Sequence, residues 1–306
     1  MTPRIAVVVV TWNSAAQLPD LVASIGPGLQ GLQHQLIVVD NDSADDTVAR
    51  ASELAPGCTI VHTGRNAGYS AGINVGMAAA DPYDAVLVLN PDIRLTPGCV
   101  EVLYRELGGR VGIAVPLIRH DDGTPAKSLR RTPTVLRALG EAVLGERAGR
   151  YPSLGETVVD PAAYRRRGVT DWATGAAMLI SADCARACGP WDESFFLYSE
   201  ETDFALRAGD LGFATAFVPG AEVTHLGGES RVSPALWSLL VVNRVRLYRK
   251  RHSAAATAAF WAAVFLRESS RAMLGHRRSR RAVGALLGRP VPQADPPRAT
   301  PAVPAP

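Results

Sequence analysis

Six consecutive apolar residues, Ile5-Ala6-Val7-Val8-Val9-Val10, constrain this chain more than any other feature of it. A strand wet on one face alternates polar and apolar side chains. An unbroken, mostly β-branched run is how a strand buried on both faces of a parallel sheet reads. The pattern returns at residues 35–40 and 84–90, with a shorter strand at 59–62. Residues 15–25 and 43–53 have helical character, and Asp42 or Ser43 is expected to cap the second of these helices. Strand, helix, strand, helix in this order predicts an α/β fold with a mainly parallel, right-handed sheet flanked by helices. Later, residues 172–179 and 214–218 read as strands, 183–188 as a short helix and 201–211 as a longer one. Residues 121–167, rich in Arg, Gly and Pro with weak periodicity, are expected to form a mobile connection.

At 47% hydrophobic and 20% charged residues over 306 positions, the chain has the makings of a packed core, which excludes disorder as its main state. The four cysteines, Cys58, Cys99, Cys184 and Cys188, form no CxxC pair, so neither a zinc ribbon nor a thioredoxin-type site is expected. No secretory leader pattern is read in the first 26 residues, giving an expectation of a cytoplasmic protein. Residues 1–242 carry 19 Lys+Arg against 27 Asp+Glu, and residues 243–306 carry 13 against 2. An acidic body thus bears a basic extension, and such extensions seek phosphate. Within that extension, residues 254–266 hold no charge, too short a stretch to span a bilayer but suited to an interface. Residues 290–306 read as a disordered Pro-rich tail.

The principal strands end in polar residues: Thr11, Asp40, and Asn90-Pro91-Asp92. In an open α/β sheet, ligands sit in the crevice beyond the carboxyl ends of the strands. Glycines 68, 72 and 76 make a bare helical stripe, open either to tight helix-on-sheet packing or to a flat ligand. Neither GxGxxG nor GxxxxGK[ST] is present, which disfavours nicotinamide enzymes and kinases. Leu89-Asn90-Pro91-Asp92 is a DxD-like arrangement with Asn in the first place, equally readable as a turn after a strand. A hard cation needs only one such carboxylate if a diphosphate supplies further oxygens. Glu200, Glu201 and Asp203 gather at a helix start, where acids are favoured by the helix dipole and where crowded carboxylates also tune a general base. His225 follows a strand and precedes Gly227-Gly228-Glu229-Ser230.

In order along residues 4–250, Val10-Thr11-Trp12-Asn13-Ser14, Val38-Val39-Asp40-Asn41-Asp42-Ser43, Asn66-Ala67-Gly68-Tyr69, Leu89-Asn90-Pro91-Asp92, the run from Trp191 through Asp203, and His225 together resemble family 2 glycosyltransferases. These are inverting enzymes of the GT-A type, and the resemblance is to their bacterial rhamnosyltransferase-like branch, which Asn90 also fits. The resemblance implies a catalytic domain over residues 1–232, with a nucleotide-binding half at about 1–120 and an acceptor half at about 168–232. A helical basic extension would cover 233–289.

It further implies that Thr11, Asn13, Asp40, Asn66, Gly68, Asn90 and Asp92 hold a nucleotide-diphospho-sugar. Asp92, assisted by His225, would ligate Mg²⁺ or Mn²⁺. Glu201 would be the base, with Glu200 and Asp203 as competitors. Rhamnose from its dTDP form is the first expectation for the donor, a UDP- or GDP-sugar the alternative. The implied acceptor is a cell-envelope glycan or polyprenyl-diphosphate-linked sugar, reached from an anionic membrane surface through residues 244–281. A solvated helix packed on the catalytic domain accounts for that segment equally well. The rival classes are a nucleotidyltransferase, whose basic phosphate loop is missing after the first strand, and a non-catalytic nucleotide-sugar-binding module. The arginines lack the interleaved aromatics of a nucleic-acid binder, so no nucleic-acid partner is expected.

Overall fold

A computed structural model describes residues 2–226 and 233–293. The apolar runs form the strands they predict: β1 (Arg4–Thr11), β2 (Gln33–Asp40), β3 (Thr59–His62) and β4 (Ala85–Leu89), connected by α1 (Leu18–Gly28), α2 (Thr47–Leu54) and α3 (Tyr69–Ala78). β1 pairs in parallel with β2 and β4, and β2 with β3, so Thr11 and Asp40 lie side by side in register. Helix α2 begins later than expected. Residues 41–46 form a loop instead, because the Asp40 carboxylate accepts the Ser43 N–H at 3.2 Å and Asp42 sits at φ 65°. Neither Asp42 nor Ser43 caps α2.

The chain continues through β5 (Ile93–Leu95), α4 (Cys99–Tyr104), β6 (Val111–Arg119), β7 (Leu129–Arg130), α5 (Val135–Leu144), β8 (Gly168–Thr170), β9 (Trp172–Ala173), β10 (Ala177–Ser181), α6 (Ala182–Cys188), α7 (Glu200–Asp210) and β11 (Ala214–His225). The main sheet runs β3-β2-β1-β4-β10-β6-β11-β5, with β8 on β11; β10, β5 and β8 run against the rest. One apolar layer under the sheet includes Val7, Leu21 and Leu87, and the other includes Val8, Ile73 and Phe204. The glycine stripe serves this packing: a Cβ at Gly72 would lie 2.6 Å from Val10, and one at Gly76 2.5 Å from Val8.

Strand β6 escapes a reading by pattern because Pro116 interrupts it, and proline removes a ladder donor. Here Pro116 stands opposite Val218, where the register of β11 slips before Glu222, so the missing donor falls at an irregularity. The region expected to be a mobile connection is ordered instead. Thr134 caps α5 by accepting the Arg137 N–H at 3.2 Å. Arg131 Nη1 donates to the carbonyl of Gly155 at 2.8 Å, and the Tyr164 hydroxyl donates to that of Val158 at 2.9 Å. Long side chains satisfying carbonyls hold this segment, and such clamps leave no hydrophobic period. The strand expected over 172–179 is also broken, between β9 and β10.

Serines 233 and 253 cap α8 (Pro234–Arg251) and α9 (Ala254–Met273), and α10 (Arg277–Leu286) follows. With α5 these helices enclose a core of Ala138, Val241, Tyr248, Phe260, Ala263, Val264 and Ala282. At its edge Arg244 bridges Glu141 at 2.9 Å and Glu156 at 2.6 Å. Among the described residues no helix is long and apolar enough to cross a membrane.

Candidate active site

The carboxyl ends of β2, β1 and β4 open on one side of the sheet. Thr11 is fully buried and its hydroxyl donates to the Val39 carbonyl at 3.2 Å, which ties β1 to β2. Asn13, at φ 52°, accepts the Ala44 N–H on its Oδ1 at 2.7 Å, while its own N–H reaches the Ser43 hydroxyl. Both residues were expected to touch the nucleotide; here the Thr11 hydroxyl bonds within the sheet, and the Asn13 side-chain oxygen holds the loop after β2. Asp40 is nearly buried beside His62 Nδ1, 3.8 Å away. The Asn66 Oδ1 accepts the Gly68 N–H at 3.3 Å. Gly68 sits at φ 90°, where a Cβ would meet Phe196 at 2.5 Å, so no other residue fits between α3 and the segment entering α7. Asn41, not singled out from the sequence, donates to the Gly68 carbonyl at 3.0 Å and keeps a buried Oδ1 without a partner.

Beyond β4, the Tyr69 hydroxyl donates to Asn90 Oδ1 at 2.7 Å. Burial, then the charges of Glu200, Glu201 and Asp92, push this phenol well above its ordinary range, so it stays a protonated donor. Tyr69 is a site residue that the sequence reading quoted only as part of a motif. Its bond engages the side-chain oxygen of Asn90. Antiparallel pairing of β5 with β11 sets His225 opposite Ile93, next to Asp92. His225 Nε2 and Asp92 Oδ2 are 3.0 Å apart, yet Nε2 makes no aligned hydrogen bond and Asp92 Oδ1 is buried without a partner. Two ligands at right angles on one cation, each about 2.1 Å from it, stand about 3.0 Å from each other. The pair therefore fits a divalent ion completed by phosphate oxygens. Among the described residues no group of three His, Cys, Asp or Glu side chains forms a self-sufficient metal cage. The 227–230 motif lies outside the described residues.

The third part enters from α7. Tyr198 and Ser199, at φ 68° and 75°, turn the chain sharply into the helix, and Asn243 of α8 donates to the carbonyls of Leu197 at 2.9 Å and Tyr198 at 3.3 Å. Glu200 and Glu201 each retain a buried carboxyl oxygen with no partner. Burial, followed by the charge of Glu201, holds the Glu200 carboxyl well above its ordinary range. Burial raises Glu201 too, opposed by backbone donors and the Arg130 guanidinium. Gly175, in the break between β9 and β10, leaves room for Glu201, since a Cβ there would lie 3.0 Å from the Glu201 Cβ. Asp203 is different. It is 0% exposed, and its oxygens are taken by Arg207 at 2.8 Å and Lys250 at 2.7 Å. Both carboxylate oxygens are thus committed to cations inside the protein, away from any substrate, which argues against Asp203 as the base.

A mainly parallel α/β sheet with a carboxylate–histidine pair beyond its strand ends, faced by two α7 glutamates that each keep one unpartnered oxygen, has the architecture of a glycosyltransferase of the GT-A fold. The Glycosyl transferase family 2 model matches residues 6–169, and the chain belongs to that family. It is 30% identical over 243 residues to the N-acetylglucosaminyl-diphospho-decaprenol L-rhamnosyltransferase of Mycobacterium tuberculosis, covering 74% of this chain and 76% of that one. It is 29% identical to the low-salt glycan biosynthesis hexosyltransferase Agl10 of Haloferax volcanii, covering 68% of this chain and 62% of that one. Among solved structures, the fold is similar to a Pyrobaculum calidifontis mannosyltransferase in complex with GDP-Man and Mn²⁺ (TM-score 0.57, 14% identity, 94% of this chain and 81% of that one). It is also similar to GalNAc-T7 with UDP, GalNAc and Mn²⁺ (TM-score 0.59, 15% identity, 80% of this chain and 47% of that one).

Proposed function

We propose that this glycosyltransferase is inverting and assisted by Mg²⁺ or Mn²⁺, and that it moves rhamnose from dTDP-rhamnose to a hydroxyl of a polyprenyl-diphosphate-linked sugar. The observation that carries the mechanism is the pair of glutamates with unpartnered buried oxygens, grouped around Tyr69 with the Asp92–His225 pair. The names of the Mycobacterium tuberculosis relative's donor sugar and acceptor support the choice of substrates. Asp40, Asn41 and Asn66 surround the nucleotide end of the cleft. Tyr69 orients Asn90 so that its amide Nδ2 is free to donate toward the donor's diphosphate or sugar. Asp92 and His225 would hold the cation, which when bound supplies Lewis-acid neutralisation of the departing diphosphate. Glu201 removes the proton of the acceptor hydroxyl while that oxygen attacks the anomeric carbon. The bond to the diphosphate breaks on the opposite face, and configuration inverts.

The test is calorimetric titration of dTDP-rhamnose in the presence of Mn²⁺, with product stereochemistry read by NMR. Asp92→Ala is expected to lose most of the Mn²⁺-dependent part of donor affinity, a contribution of several kcal/mol where a cation bridges phosphates. Equal affinity of Asp92→Ala and the parent protein, with and without Mn²⁺, would contradict the assignment. A retained anomeric configuration would remove the single-displacement mechanism.

A further inference from the structure

Residues 254–266 were expected to supply an interfacial apolar segment. Their large side chains are largely spent inside the protein: Phe260 and Val264 are core, and Trp261 stacks on Phe265 at 4.9 Å. Many of the cations expected to meet lipid are likewise committed. Arg244 pairs with Glu141 and Glu156, Arg246 donates to the Ser194 carbonyl, Lys250 pairs with Asp192 and Asp203, and Arg251 pairs with Asp210. A different surface is left unpartnered.

Of the 13 large apolar side chains that stand exposed among the described residues, 9 fall within residues 136–151 and 266–287, which singles out one region of the fold. Helices α5 and α9 run side by side in the same direction. Ala138 shares a core with Phe260 and Val264, and a Cβ at Gly145 would lie 3.8 Å from Arg271 Nη2. Glu141 of α5 and Glu268 of α9 both turn toward α8, where they meet Arg244 and the Trp237 indole. With 3.6 residues per turn, the flank opposite Glu141 carries Leu136, Leu139 and Val143, and the flank opposite Glu268 carries Leu266 and Met273. Both flanks therefore leave the helix pair on the side away from α8. Val143 is 76% exposed, Met273 81% and Leu274 79%.

Arginines rim the end of this face. Arg147 and Arg150 are exposed on the turn that follows α5, and Arg277, Arg280 and Arg281 are exposed on α10, with Arg280 Nε donating to the Ala272 carbonyl at 3.3 Å. The nearby acid Glu146 is 3.7 Å from Lys127. A second copy of the chain seated by two-fold symmetry would bring this arginine rim against itself, at a repulsive cost. An apolar stripe bordered by arginines instead complements the interface of an anionic bilayer. The face is also joined to the cleft, because β7, just before α5, pairs with β9, two residues from the Gly175 that touches Glu201.

We propose that the α5–α9 face, with its arginine rim, docks on an anionic phospholipid bilayer. The proposal rests on the function proposed above only for its purpose, which is to hold the cleft over a lipid-linked acceptor; the surface itself is argued without it. The test is flotation of the full chain with phosphatidylcholine vesicles, with and without phosphatidylglycerol, at low and high salt. Wild type is expected to float with the anionic vesicles only, and less at high salt. Val143→Asp with Met273→Asp, both at exposed positions, is expected to lower partition by about ten-fold or more for each side chain withdrawn. Val169→Asp, on the exposed edge strand β8, is the control and should float like wild type.

Wild type remaining unbound, or the double variant floating unchanged, would overturn the proposal. So would a dimer in sedimentation that Val143→Asp with Met273→Asp dissolves while vesicles bind nothing, since a second copy would then cover the face. Retained flotation with no transfer to a polyprenyl-diphospho-sugar would overturn the acceptor assignment and leave the docking face supported.

Discussion

Glutamates 200 and 201 are adjacent, but their surroundings divide their roles. Glu201 lies against Gly175 and is partly open, whereas Glu200 is buried. If Glu201 is the base as proposed, Glu201→Gln removes it and keeps the shape, so transfer should fall about 10²–10⁴-fold while calorimetric donor affinity is preserved. Full turnover in that variant would exclude Glu201 as base. Glu200 makes a prediction of the opposite kind. Its carboxyl is held above the ordinary range in the folded protein, so between the unfolded and folded values the native state binds the extra proton. Stability therefore falls as pH rises through that window. Glu200→Gln abolishes this titration, so the melting temperature at neutral pH should rise by a few degrees and lose most of its decline between acid and neutral pH. A melting temperature with the parent protein's pH dependence would show that Glu200 is not the strained group. At this scale the sequence was informative about residue type and poor about direction. Asp203 was as eligible as Glu201 from the sequence, and the cations that engage it, Arg207 and Lys250, include one from a helix 47 residues away, a partnership that leaves no local pattern.

Among the elements, those with an unbroken apolar run or a serine cap were legible. β1, β2, β4 and β3 appear where the runs lie, and α6 and α7 lie close to their expected bounds. β6 was hidden by Pro116, and the segment from β7 through α5 by its reliance on arginine and tyrosine clamps. Helix α8 lies within residues 233–289, read as helical; what the sequence did not disclose is the contact it makes. Its side chain Asn243 reaches across to two carbonyls of the left-handed turn that delivers Glu200 and Glu201, an arrangement that makes the helix a support for the active site. A buried amide satisfying two carbonyls is costly to lose. Asn243→Ala should lower kcat by about ten-fold or more, the effect of a misplaced group, with KM for the donor little changed. Asn243→Gln, with the same amide on a longer arm, should recover part of the rate. A pure stability effect would instead lower the melting temperature and leave kcat of the folded fraction intact.

For the whole molecule, a single hydrogen-bonded sheet runs beneath both the Asp40 end of the cleft and the α7 end. β10 joins them: it lies between β4 and β6, against the direction of both, and the chain just before it offers the Ala176 carbonyl to the Asn90 N–H at 2.9 Å. A continuous ladder has no seam at which two lobes can rock, and hinge motions need a few unpaired residues to absorb the change. Donor binding should therefore leave the radius of gyration in small-angle scattering unchanged, whereas a two-lobed clamp would contract. The enzyme that results is closer to a workbench than to a jaw. Its substrates must fit a rigid bed, and selectivity between sugars has to reside in the side chains and loops bordering that bed, where exchange of a few residues can retune it without disturbing the foundation.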